Sequence, residues 1–354
     1  MLILVKIEVY HDSSAFDTLK PEWNPLVERS ATRSVFLTWE WQAIWWKHLG
    51  EGELHLVTLR DGAGALVGIA PLCRVTSQAG EHAFRWIGCV DVSDYLDVIA
   101  TPGSEQALYA ALMDYLTGPD APAWTYVDLC NIRQDSPTYE TLAQMAVERG
   151  LHARTAIQEI CPVIPLPSEW EDYLASLDKK QRHEIRRKMR RIESEAKTHW
   201  RFAADPATLD ADIDEFIGLH RKSNREKDAF MDDKMVGFFR EICRAAFHAG
   251  WLNLAFIHVN DSVAATMLNF DYDNQILVYN SGYDPDRYAV LSPGIVLLSY
   301  CIRHAIETGR TRFDFLRGDE DYKFRFGADR TTIHNVLMST SPLPDPLPAE
   351  ESQL

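Results

Sequence analysis

Residues 53–75 (ELHLVTLRDGAGALVGIAPLCRV) and 251–284 (WLNLAFIHVNDSVAATMLNFDYDNQILVYNSGYD) share one pattern. Each alternates apolar and polar residues and is broken by turn pairs, Asp61-Gly62 in the first, Asn260-Asp261 and Asp273-Asn274 in the second. Alternation with such pairs between the runs predicts antiparallel meanders. The segment after each meander is also repeated. Thr101-Pro102-Gly103 and Ser292-Pro293-Gly294 are each expected to open a helix, which closes near Gly118 or Gly309 and hands over to a strand holding Asp128 or Asp314. The Pro-to-Asp distance is 26 residues in one copy and 21 in the other, the difference fitting the turn-rich GPDAPAW. A repeat of this length is a duplication at domain scale rather than a solenoid unit. The expected fold is therefore α+β, a central and mostly antiparallel sheet flanked by helices, formed twice. CPVIPLP places the boundary, giving lobes at 1–162 and 163–340, followed by a Pro-rich, acidic tail at 341–354 expected to be extended or disordered.

At 354 residues and 46% hydrophobic content the chain can bury two cores. No run reaches the roughly 18 apolar residues of a membrane span. The opening MLILVKIEVYHD lacks a basic start and alternates like a strand, which argues against a signal peptide. Six cysteines without paired spacing (Cys73, Cys89, Cys130, Cys161, Cys243 and Cys301) are expected to be reduced, buried side chains of a cytoplasmic protein. A net charge of -16 opposes general binding to nucleic acid or anionic membranes. Residues 179–197, KKQRHEIRRKMRRIESEAK, run the other way, with nine Lys or Arg against three Glu. They belong to a stretch, EWEDYLASLDKKQRHEIRRKMRRIESEAK, expected to be one long helix because it contains neither Gly nor Pro.

Ser292 suits an N-cap, Pro293 the first helical position, and Gly294 leaves the helix start open to a ligand. Free N–H groups at such a start suit a phosphate or pyrophosphate, although an ordinary capped helix explains the same letters. Together with this start, FLTWEWQAIWWKHLG, LVGIAPL, RHEIRRKMRRIE, YNSGYDPDRYAVLSPGIVLLSYCI and FDFLRGDEDYKFRFG make Trp23 to Gly327 resemble the cellulose-biosynthesis-associated acetyltransferases. That family is a tandem branch of the GNAT superfamily related to the Fem peptidyltransferases. The resemblance implies two GNAT-like lobes, the second holding acetyl-CoA or another acyl-CoA and passing the acyl group to an amine, for example that of an amino sugar or a polysaccharide or cell-envelope precursor. It equally allows a Fem-like transferase using aminoacyl-tRNA, or a binding protein without catalysis. The Q/R-x-x-G-x-G/A loop of simpler GNAT proteins is missing.

Acyl transfer to an amine needs a held thioester, a deprotonated amine and stabilisation of the leaving thiolate. For the donor the candidates are the N–H groups at Gly294 and Ile295 with Ser292, Arg287 and Tyr288. For the amine proton they are Asp319, then Glu320, in RGDEDYK, which has no counterpart in the first copy's NIRQDS. Tyr322, or Tyr283, is the candidate acid for the thiolate. Lys323 and Arg325, expected on one face of a strand, either bind an anionic substrate or balance the neighbouring acids. Trp39, Trp41, Trp45 and Trp46 either form a sugar platform or, at near-helical spacing, pack a core. Glu40, Asp94 and Asp97 are candidates for an acceptor cleft. The dispersed histidines show no metal spacing, so no metal is expected. The basic segment reads as a rim for CoA phosphates or an anionic acceptor, as a solvated face, or as a tRNA contact.

Overall fold

A computed structural model describes residues 6–89 and 92–343, so the expected tail from residue 344 onward lies outside the described residues. The chain divides into two compact units, 1–159 with 332–354, and 160–331.

The first unit opens with β1 (Lys6–Tyr10), α1 (Ser14–Arg29) and α2 (Trp39–Leu49). Its meander is β2 (Glu53–Arg60), β3 (Leu66–Thr76) and β4 (His82–Trp86). The short β5 (Ile99–Ala100) pairs with β3; α3 (Glu105–Thr117) then crosses to β6 (Tyr126–Arg133), which runs parallel to β4, and α4 (Thr138–Glu148) comes next. Trp23, Trp41 and Trp86 fill its interior, so within the aromatic block core packing accounts for Trp41 and also for Trp45, which is 3% exposed. Trp39 is held by Nε1 donating to Phe16 O at 2.8 Å, with the Lys20 ammonium 3.6 Å above its ring.

β7 (His152–Pro165) leads into the second unit, where α5 (Trp170–Ser176), α6 (Lys179–Glu195), β8 (Thr198–Phe202), α7 (Leu209–Ser223), α8 (Arg225–Phe230) and α9 (Asp233–His248) precede the meander. The meander consists of β9 (Leu252–Val259), β10 (Ser262–Tyr272) and β11 (Gln275–Tyr283). Both of its turns carry positive φ at their two central residues, 50° and 67° at Asn260 and Asp261, 51° and 58° at Asp273 and Asn274. Asn and Asp tolerate that left-handed geometry, which matches the twist of the strands they join. α10 (Pro293–Glu307) returns the chain to β12 (Arg312–Asp314), parallel to β11, and the chain continues through α11 (Asp321–Arg325) and β13 (Asp329–Ser339). From Ile333 onward β13 pairs with β6 and completes the first sheet. The duplicated order of meander, helix and parallel strand is thus present in both units.

Three expectations are corrected. The long charged helix is two helices, because Asp178 caps a new start with its carboxylate, accepting from Lys180 N at 2.8 Å and Gln181 N at 3.0 Å. The first Pro-Gly does not open its helix: Thr101 to Ser104 form a turn, Gly103 at φ +90°, and α3 begins at Glu105. Only the second copy has Pro at the first helical position. Finally, Cys89 and Cys130 form a disulfide with Cα atoms 6.0 Å apart, while the other four thiols are free and buried. The bond closes a loop over 41 residues. Its removal by Cys130→Ser is expected to lower the unfolding free energy by about 3 kcal/mol, read as a shift in the denaturation midpoint.

Candidate functional site

Two strands of the second unit part company. β11 and β12 pair only from Gln275–Leu277 to Arg312–Asp314. Beyond that point β11 continues against β10 as far as Tyr283 opposite Ala265. The chain after β12 stays with β7 instead, Phe315 N donating to Pro162 O at 2.9 Å and Gly318 N to Ile160 O at 3.0 Å. Among the described residues, the divergence leaves β11 beyond Leu277 without a strand partner on that side. Both sides of the opening hold uncommon backbone, with Ser292 at φ 51° and Leu316 at φ 56°. Left-handed φ costs a non-glycine residue on the order of 1 kcal/mol and concentrates where function imposes it.

The Ser292 conformation also changes how α10 begins. Its side chain makes no capping bond; its carbonyl accepts from Val296 N at 3.2 Å. Pro293 has no N–H, and the amides of Gly294 and Ile295 fall among the donors that a helix start leaves unused. Nothing stands within 4 Å of where a Gly294 Cβ would lie, so the approach is open.

Ile295 lines a cavity of about 650 Å³ whose other walls are α6 and α11. Ile185 and Phe326 give it apolar surface, Tyr322 an aromatic edge, and Lys180, Lys188 and Arg325 positive charge. Asp178 and Glu184 oppose them: the Asp178 carboxylate accepts from Lys180 N and Gln181 N, that of Glu184 is committed to Arg187 at 2.7 Å and Lys188 at 3.7 Å, and Arg325 pairs with Asp321 at 3.5 Å. The Arg187 hydrogen bond holds Glu184 below the usual carboxylate range. Lys180 has no carboxylate partner among the described residues. The cavity therefore offers cations and free amides to a bound anion.

Tyr322 packs edge-to-face on Phe315 at 6.0 Å, and burial, then the Glu320 charge, pushes its phenol up to about 12. It remains protonated at neutral pH and able to donate. Lys323 is different. The expected strand is a short helix, and Lys323 is 3% exposed, donating to Arg317 O at 2.7 Å and Gly318 O at 3.0 Å and pairing with Glu320 at 2.8 Å. With all three protons engaged, it holds the loop together and is not available to a substrate. Asp319 is exposed, without a carboxylate-to-cation pair among the described residues.

The remaining candidates lie apart from the cavity. Asp284 pairs with Lys222 at 2.7 Å and accepts from Asp286 N and Arg287 N, fixing a turn from which the Arg287 side chain is exposed. Tyr288 rests on the unit's apolar core, and Tyr283 is 41% exposed at the end of β11. Glu40, in the first unit, accepts from Asn24 Nδ2 at 2.8 Å at the start of α2. Asp94 and Asp97 are buried there; burial raises Asp97 to about 6 while Thr138 Oγ1 at 2.5 Å and Val98 N at 2.8 Å hydrogen-bond it. In the sequence, Lys180 and Lys188 stand only as members of a basic run. The spacing of Lys188 three residues after buried Ile185, and of Lys180 four before Glu184, is the signal that could place them beside a pocket.

The family described as the acetyltransferase (GNAT) domain matches residues 179–324, which span α6 through most of α11. Residues 179–324 thus match a GNAT domain, and the chain's fold is similar to that of FemX. No curated protein matches the chain. Among solved structures it is similar to FemX, at 11% identity and a TM-score of 0.63, over 94% of this chain and 96% of that one. A conserved protein of unknown function from Bacteroides thetaiotaomicron aligns at 10% identity and TM-score 0.58, over 94% of this chain and 100% of the other. L-PGS from Bacillus licheniformis aligns at 10% identity and TM-score 0.55, over 91% of each chain. At such identities the likeness is one of fold. None of these matches carries the narrower resemblance to the cellulose-associated branch. Among the described residues no helix is long and apolar enough to cross a membrane, and no group of His, Cys, Asp or Glu is arranged to hold a metal.

Proposed function

We propose that the protein is an acyl-CoA-dependent N-acyltransferase whose donor site is the cavity between α6, the first turn of α10 and α11. The observation that carries this reading is the convergence of Lys180, Lys188 and Arg325 with Ile295 in the first turn of α10. Phosphates of the donor suit the cations and the first turn of α10, and its acyl arm suits the part of β11 beyond Leu277 that has no strand neighbour on that side among the described residues. Tyr322 protonates the departing thiolate. Asp319 takes the proton of the attacking amine, because Glu320 is held by Lys323. The acceptor is an amine, with an amino sugar or cell-envelope precursor as the first class to screen, and use of CoA favours a cytoplasmic site of action.

Titration calorimetry with acetyl-CoA is expected to show binding that the double variant Lys188→Glu, Arg325→Glu weakens at least tenfold, about 1.4 kcal/mol. Absence of binding to the unaltered protein would overturn the reading. One observation favours a second. Lys179, Arg182 and Arg190 on α6 have no carboxylate partner among the described residues and suit a polyanion, as an aminoacyl-tRNA donor is. Reversing Arg182 and Arg190 to Glu discriminates the two: loss of salt-sensitive tRNA binding supports the tRNA donor, while retained acetyl-CoA binding without tRNA binding supports CoA.

A further inference from the structure

Lys227, on α8, has no part in the donor cavity, yet its side chain reaches the opening between the parted strands. Its Nζ donates to Ser281 O at 2.5 Å and lies 3.5 Å from Ser281 Oγ. Ser281 is four residues past Leu277, the last β11 residue to pair with β12, so the ammonium sits on the part of β11 that lacks a strand neighbour there. The Glu320 charge opposes loss of a proton from both Lys227 and Tyr322. On α7, His220 is 2% exposed and feels the Lys227 charge in turn.

We propose that Lys227 is an internal acyl acceptor, modified by a donor whose acyl arm lies along the same stretch of β11. This rests on the acyl-donor reading. The chemistry requires the free amine, reached when the ammonium gives a proton to solvent. The Nζ lone pair then attacks the thioester carbonyl, the C–N bond forms and the C–S bond breaks. The leaving thiolate takes up a proton, and the second proton lost by nitrogen passes to water. Acyl-CoA and a lysine amine thereby become an amide and free CoA, with no other reactant. Burial lowers the Lys227 pKa from its ordinary value against the opposing pull of Glu320, which raises the share of free amine relative to a solvated lysine. The amide has no charge to set against Glu320, so the modified opening differs electrostatically from the unmodified one.

The test needs no external acceptor. The full-length protein is incubated with acetyl-CoA and acetylation is mapped by mass spectrometry, while calorimetry on the same preparation measures acetyl-CoA binding. Lys227 is expected to be acetylated at least tenfold faster than the exposed Lys179 and Lys197, and that preference to disappear in Lys188→Glu, Arg325→Glu. Lys227→Arg should bind acetyl-CoA like the unaltered protein and show no fast site. Binding with Lys227 modified no faster than Lys179 overturns this inference and leaves the acyl-donor reading standing. Absence of binding overturns both.

Discussion

Lys323→Met is expected to lower the unfolding free energy by about 2–3 kcal/mol, the cost of taking from two carbonyls the buried ammonium that donates to them. The substitution keeps the length of the side chain and its apolar stem. It removes the ammonium that donates to Arg317 O and Gly318 O, and releases the exposed Glu320 from its 2.8 Å pair. Each buried carbonyl left without a partner costs on the order of 1–3 kcal/mol. Lys323→Arg should not restore the loss, because a planar guanidinium cannot converge on two carbonyls and a carboxylate as a compact ammonium does. Denaturant unfolding monitored by tryptophan fluorescence supplies the measurement. A loss below about 1 kcal/mol would mean that the 317–320 loop holds its shape by other means. Since Tyr322 lies next to Lys323, acetyl-CoA affinity is expected to fall with stability.

Gly282→Ala is expected to be comparably severe. A Cβ there would lie 2.5 Å from His220 N and 2.6 Å from Leu219 C, which are backbone atoms of α7. A rotamer change cannot relieve such a clash; the helix must leave the strand, at a cost of about 3 kcal/mol or total loss of folding. Gly294→Ala supplies the contrast, having nothing within 4 Å of the new methyl group, and should stay within about 0.5 kcal/mol of the parent. If the two variants unfold alike, the close packing of β11 on α7 is not what holds this part of the unit together.

Much of the fold is local in origin and so is legible in the sequence. The turns at Asn260-Asp261 and Asp273-Asn274 specify two-residue hairpins through the φ tolerance of their own residues. The break before Lys179 is equally local: Asp178 with Gln181 three residues later has the form of a helix start, but the absence of Gly and Pro conceals it. Pro102-Gly103 and Pro293-Gly294 show the opposite limit, since matching letters lead to a turn in one copy and a helix start in the other. The site itself is only partly legible. Tyr322, Arg325 and Ile295 are sequence candidates that line the cavity. Lys188 and Lys227 are not, because their difference from other lysines lies in surroundings given by segments 107 to 138 residues away in one case and fifty-four in the other. The Cys89–Cys130 pair is hidden for the same reason.

The route of the chain through β13 bears on synthesis. The second unit is framed by ends that meet, Thr331 Oγ1 donating to Cys161 O at 2.6 Å, so everything it needs has been made by residue 331. The first unit, begun at residue 1, waits for Ile333 to Ser339 to cover the edge of β6. On a ribosome the earlier-made unit is therefore the later one to finish, and until then it exposes a strand edge of the kind that recruits other chains. A premature stop just after residue 331 would leave the second unit its own strands and the first unfinished, so such truncations should fail by aggregation more than by loss of the candidate site.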